Sequence, residues 1–116
     1  MAKLRINRGT TYAIDLVYKV GGVATTLVGA TVRFTMKTAE YDADTDDSTA
    51  SVTKNITSGT SGGLATITIN PADTSTLTPG TYYYDIKVDV DSDGATVYKV
   101  DEGTVILDGS PTNRLA

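Results

Sequence analysis

The chain has 116 residues, a formal net charge of −4, and neither cysteine, histidine nor tryptophan. That length suits one domain and is too short for two of ordinary size, and 40% hydrophobic residues is enough to fill a core without a disulfide or metal staple. The missing thiol and imidazole exclude disulfides, cysteine-held metals and histidine-activated nucleophiles, and ten basic side chains spread through an acidic chain make no phosphate-tracking stripe, so nucleic acid is not an expected partner.

Period-two alternation of apolar and polar residues predicts strands from end to end. The opening MAKLRINRG carries no apolar stretch of a secretory signal, and Leu4 and Ile6 begin a short first strand. Tyr12, Ile14, Leu16 and Tyr18 alternate with Ala13, Asp15, Val17 and Lys19, a strand with one buried face. Val20-Gly21-Gly22-Val23 predicts a two-residue hairpin turn, because paired glycines supply the positive φ that such turns need. Val32, Phe34 and Met36 alternate with Arg33, Thr35 and Lys37 in the next strand. Residues 38–50 lack an apolar period and carry five acids, which predicts a solvated loop. Val52 and Ile56 flank Lys54 in a weaker, edge-like strand, and Ala65, Ile67 and Ile69 mark another after the glycine-rich loop 58–63. Asn70 offers a cap and Pro71 a first helical position, so one helical turn is expected over residues 71–76.

The strongest strand places Tyr82, Tyr84, Ile86, Val88 and Val90 on one face, with Tyr83, Asp85, Lys87 and Asp89 on the other. Asp91-Ser92-Asp93-Gly94 closes a hairpin. The return strand carries Tyr98 and Val100 in even phase and Val105 and Leu107 in odd phase. That change predicts a β-bulge near Asp101–Gly103, with Gly103 taking the unusual dihedrals. No run reaches the roughly 18 apolar residues of a membrane helix. About seven short strands in some hundred residues predict an all-β chain: a single immunoglobulin-like antiparallel β-sandwich over residues 1–109, followed by a short tail, 110–116.

Several local patterns bear on chemistry. Pro79-Gly80 suits the centre of a type II turn. The ring of Tyr82 or Tyr84 can then bury while its hydroxyl bonds nearby backbone, as in the tyrosine corner of Greek-key sandwiches. Tyr83, on the opposite face, is a contact candidate. Asp89-Val90-Asp91-Ser92-Asp93-Gly94 opens like an EF-hand loop, which makes Asp89, Asp91 and Asp93 calcium candidates. Position twelve of that loop is Val100 instead of glutamate, and the flanks are strands, so an acidic hairpin turn is the simpler reading. Asp42, Asp44 and Asp46 share the spacing without the required glycine or glutamate. Facing carboxylates, a phosphate loop and a nucleophile elbow do not stand out, so neither enzyme activity nor a cofactor is expected. Charge is segregated along the chain: residues 1–39 carry six basic side chains and one acid, residues 40–116 four basic and thirteen acidic ones. This gives either two differently charged faces or complementary edges that steer assembly. Lys3, Arg5 and Arg8, with Tyr41 and Tyr83, are the candidate partner contacts.

Five motifs taken in order carry a family resemblance. They are Arg8-Gly9-Thr10-Thr11-Tyr12 opening a strand, the LVGATVRFTMK run of residues 27–37, the GGLATI run of residues 62–67, Asn70-Pro71-Ala72-Asp73-Thr74, and the LTPGTYYYDI run of residues 77–86. Together they resemble small immunoglobulin-like virion proteins of tailed bacteriophages, with the N-terminal domain of baseplate upper proteins as the nearest pattern. The resemblance covers about residues 8–108. It implies a non-enzymatic structural part of a phage particle, made in the host cytoplasm and located in the virion. Its implied partners are other virion proteins and further copies of itself, with no nucleic acid and no membrane. Baseplate upper proteins continue into long further segments, so tail accessory, head–tail connector and capsid decoration roles all stay open. No binding residue carries over, because the matching motifs are turns and core positions. Lys3–Asn7 and Gly109–Ala116 are expected either to fray or to pair with a neighbour by strand addition. The alternative from the same residues is a cell-surface polysaccharide-binding or adhesion module, with Tyr41 and Tyr83 as exposed aromatics and the acidic loop supplying polar contacts.

Overall fold

Strands that bury every second residue need a second surface to bury them against, and this chain supplies it with two sheets of unequal width. A computed structural model describes residues 2–38, 50–92 and 94–109. In chain order its elements are β1 (Ala2–Asn7), β2 (Tyr12–Val17), β3 (Lys19–Val20), β4 (Val23–Ala24), β5 (Thr31–Lys37), β6 (Val52–Ile56), β7 (Leu64–Ile69), α1 (Pro71–Thr74), β8 (Gly80–Asp89) and β9 (Val97–Asp108). The larger sheet has the order β1-β9-β8-β5-β6, the smaller is the pair β2-β7, and β3-β4 forms a separate two-residue ladder. The chain is thus nearly all β, and α1 is its one helical turn among the described residues. No helix among them is long and apolar enough to cross a membrane.

The core lies between the sheets. Val32, Phe34 and Met36 of β5 and Tyr82, Tyr84, Ile86 and Val88 of β8 turn inward, the residues that the alternation marks. They meet Ala65, Ile67 and Ile69 of β7, while Tyr12, Ile14 and Leu16 of β2 pack against them half-buried. Phe34 and Tyr84 stack with ring centroids 5.7 Å apart, which adds a directed term to the area they bury. The smaller sheet is only two strands wide, and Val97 and Tyr98 at the start of β9 stay exposed.

Turns fix the ends. Gly21 and Gly22 take φ of 60° and 83°, the pair of positive values that a two-residue hairpin with the sheet's own twist requires. At α1 the Asn70 amide donates to Asp73 Oδ2 at 2.7 Å. The same oxygen lies 2.7 Å from Lys54 Nζ, which reaches in from edge strand β6 and ties the large sheet to the turn after β7. Burial pushes the Asp73 carboxyl up, but the hydrogen bonds from Lys54 and the Asn70 amide, with the charge of Lys54, outweigh it and hold the pKa below the usual value. The Tyr82 hydroxyl donates to the carbonyl of Thr78 at 2.6 Å, the backbone bond that the ring needs when it is buried.

Four features differ from the sequence reading. First, β1 runs parallel to β9, pairing Ala2 with Gly103 through Asn7 with Asp108, where an antiparallel arrangement of about seven strands was the expectation. No hairpin joins these two strands, so either direction is open to them, and the segment Lys3–Asn7 is used within the molecule. Second, the bulge lies at Val100: Ile86 pairs with Asp101 and Lys87 with Lys99, so Val100 is the extra residue, and Gly103 has no positive φ. Third, Gly80 opens β8 at φ 153°, far from the roughly +80° of a type II turn, because the strand begins at that residue. Fourth, Tyr98 is 53% exposed despite its inward phase, since the narrow sheet does not reach it. The acidic segment 39–49 and the tail 110–116 lie outside the described residues.

Two measurements test this account. Tyr82→Phe removes one hydroxyl and strands a carbonyl, so urea unfolding should show a loss of about 1 kcal/mol; an unchanged midpoint would remove the corner from the account. A depressed carboxyl stabilises the fold above the ordinary value of 3.8 and loses that contribution as pH falls through its folded value. Lys54→Met should therefore flatten the dependence of stability on pH below about pH 4, measured by thermal unfolding from neutral to acid pH.

Candidate interaction surface

The outward face of the large sheet is set by the residues between the buried ones. Register places Lys3 of β1 beside Thr104 of β9, Thr104 beside Tyr83 of β8, and Tyr83 beside Lys37 of β5, in one straight row. Arg5, Ile106 and Thr81 form the adjacent row on one side. On the other side run Glu102, Asp85, Thr35 and Thr53, then Lys99, Lys87, Arg33 and Asn55. The face thus offers hydroxyls, one half-buried aromatic ring and rows of opposite charge, the chemistry of recognition through a flat surface. Three of the residues singled out in the sequence, Lys3, Arg5 and Tyr83, share it.

Each charged candidate has a definite setting. Arg5 is exposed and grips Asp108 through two bonds, Nε to Oδ2 at 2.8 Å and a terminal nitrogen to Oδ1 at 3.2 Å. Arg8 is half-buried and donates to the carbonyl of Leu77 at 3.2 Å, while the neighbouring Gly9 amide donates to the buried Thr74 hydroxyl at 2.9 Å. Arg8 therefore fastens the end of β1 to the turn after α1, and it is not part of the outward rows. Tyr41 lies outside the described residues.

The calcium candidates separate in the same way. Asp89 is buried at 1% exposure, and both of its oxygens accept from the Gly94 amide at 3.1 and 3.0 Å. Arg33 approaches to 3.5 Å. The carboxylate holds the β8–β9 loop shut, and this is why an acid can be buried there. Asp91 is exposed, and Asp93 lies outside the described residues. Among the described residues no three acidic, histidine or cysteine side chains converge as a metal site would require. Ser92 completes the loop in the left-handed region at φ 59°. Its hydroxyl donates to the carbonyl of Gly29 at 2.9 Å and lies 2.7 Å from the Thr31 hydroxyl, pinning the hairpin to the start of β5.

Sequence reasoning missed one feature. An open groove of about 480 Å3 runs between residues 16–20 of the β2–β3 corner and residues 98–100 of β9. Its walls are mainly apolar, with Lys19 and Lys99 among them. The phase change in β9 was the available signal, since a bulged strand end breaks from the layer that would cover it. Beside it the Tyr84 hydroxyl donates to Asp101 Oδ2 at 3.0 Å, and the other Asp101 oxygen accepts the Glu102 amide at 2.9 Å. Burial, then the hydrogen bond and charge of Asp101, push the Tyr84 pKa well up.

Comparison with protein-family models and with curated proteins gives no match for this chain. The residues and their geometry therefore carry the functional argument.

A raised tyrosine pKa has a readable sign: the contribution is complete below the ordinary 10.0 and is lost as pH climbs above it, because the folded state resists ionisation. Tyr84→Phe should remove that part of the alkaline fall in stability, measured by urea unfolding between pH 9 and about pH 11. Identical alkaline slopes for both proteins would show that the Asp101 contact is not felt.

Proposed function

We propose that this protein is a non-enzymatic structural component of a tailed-phage particle, an immunoglobulin-like sandwich that docks on tail, baseplate or capsid subunits. One observation carries the reading. The outward face of the five-stranded sheet gathers Lys3 and Tyr83 into a single row with Thr104 and Lys37, a flat and chemically mixed surface on a rigid support. Flat faces of this kind suit protein partners, with a central aromatic residue and charged groups at the margins.

The resemblance supplies the phage context, and its motifs fall where a structural module needs them. Arg8–Tyr12 links β1 to β2, residues 27–37 lead into and form β5, and residues 77–86 form the tyrosine corner and enter β8. The corner itself supports the immunoglobulin-like description, since a buried tyrosine bonded to backbone just upstream marks Greek-key sandwiches. Net negative charge with a locally mixed face also suits crowded assembly, where like-charge repulsion keeps free subunits soluble.

The test is incorporation into particles. Phage particles purified by density gradient from the encoding system should contain this chain in a fixed ratio to the other virion proteins. A Lys3→Glu, Tyr83→Ala double variant should fold with unchanged circular dichroism yet be at least tenfold depleted from the particles. Particles that lack the wild-type chain would end the proposal, and undiminished incorporation of the double variant would remove the outward face from it.

A further inference from the structure

Residues 12–20 run as one line, β2 into β3, with their strand neighbours all on one side. β7 pairs with Tyr12–Val17, and β4 with Lys19 and Val20. At the junction the Tyr18 amide donates to the carbonyl of Gly63 at 2.7 Å, and the Tyr18 carbonyl accepts from the Thr25 amide at 2.8 Å. Backbone bonding alternates along an antiparallel ladder, so the even-numbered residues bond to β7 and β4. The amides and carbonyls of Asp15, Val17 and Lys19 therefore point the other way. Among the described residues no hydrogen bond reaches these three backbones from that side. An unpaired edge of this kind is a template for another strand.

The surroundings select the strand that fits. The groove borders this edge, with Leu16, Tyr18 and Val20 on one wall and Tyr98 and Val100 on the other. Val20 and Tyr98 are 54% and 53% exposed, and Val17 and its cross-strand partner Leu64, on the outer side, are 46% and 53% exposed. Both faces of an arriving strand thus find apolar surface to bury. Charge then sets its sequence. Asp15 and Lys19 share the outer side. Lys19 is exposed and forms no ion pair among the described residues, and Asp15 accepts from the Thr66 hydroxyl at 3.0 Å. Opposite charges placed directly across an antiparallel pair stabilise it, so the fitting strand carries an acid opposite Lys19 and a base opposite Asp15. The groove holds about 480 Å3 and β9 flanks its far side, which leaves room for one extended segment and not for the two-layer body of a second copy.

We propose that the free edge from Asp15 to Val20 is a strand-addition site for an extended segment of a partner protein. The segment lies antiparallel to the edge, with apolar side chains toward the groove and an acid opposite Lys19. This site is separate from the outward face of the large sheet, and it does not require that the partner be a virion protein.

Two synthetic peptides test it. With its central threonine opposite Val17, antiparallel VEVTVKV sets glutamate against Lys19 and lysine against Asp15, and VKVTVEV exchanges the two charges. Titration calorimetry at low ionic strength should show VEVTVKV binding at least tenfold more tightly. Amide hydrogen exchange should slow at Val17 and Lys19 in that complex, because the peptide takes their N–H groups. Lys19→Glu should abolish the preference between the peptides without moving the urea midpoint. No binding of VEVTVKV, equal binding of both peptides to the wild type, or unprotected Val17 and Lys19 amides in the complex would each overturn the proposal. So would a wild type that sediments above the 12.2 kDa of one chain and returns to it on adding the peptide, since a second copy would then be the occupant. Each of these outcomes leaves docking through Lys3 and Tyr83 to its own test.

Discussion

Phe34 stacked on Tyr84, with Ile86 and Val88 beside them and Ile67 and Ile69 across the gap, is the contact on which the rest of the molecule depends. These side chains come from β5 and β8 of the larger sheet and β7 of the smaller one, which meet because each buries every second residue. Removing apolar surface from water is the term that sets this arrangement. Hydrogen-bonded ladders and loop pins then decide the register within it. The pins are few and specific: Lys54 to Asp73 between sheet and turn, Ser92 to Gly29 between hairpin and β5, and Tyr82 to Thr78 below β8.

A two-strand sheet laid on a five-strand sheet cannot cover it. That mismatch has consequences at both margins. At β6 the exposed edge is managed by Lys54, a charge turned inward and held by Asp73, one of the devices that keep strand edges from pairing with other chains. At β9 the management is partial. The bulge at Val100 and the Asp101 carboxylate tie up some of the backbone, yet Tyr98, Val17 and Val20 stay in water. The two margins therefore differ: one carries an inward charge held by its partner, the other leaves apolar side chains exposed.

Electrostatics follows the same division. Where an acid is buried, its oxygens are occupied: Asp89 by the Gly94 amide and Arg33, Asp73 by Lys54 and the Asn70 amide. Where charges are exposed on the large sheet, lysine stands opposite lysine and acid opposite acid across β8 and β9, while ion pairs such as Lys99 with Glu102 and Arg5 with Asp108 link neighbouring positions. The first group stabilises the monomer, and the second costs it a little.

The sequence by itself determined the local layer. Alternation marked the inward residues of β5, β7 and β8, paired glycines marked the hairpin at Gly21-Gly22, and Asn70-Pro71 marked α1, because side-chain direction in a strand and dihedral demand in a turn are properties of a few consecutive residues. It also named Tyr83, Lys3 and Arg5, since they fall between inward positions. It could not say that these three share one face, because that depends on β1 lying against β9, a pairing across about a hundred residues. The parallel direction of β1, the position of the bulge, the half-burial of Arg8 and the use of Asp89 as a loop clasp were likewise decided only in the tertiary structure. The groove was the least legible feature: it is a place that the narrow sheet does not cover, and the phase change in β9 is its one local sign, because a gap between layers depends on residues distant in the chain.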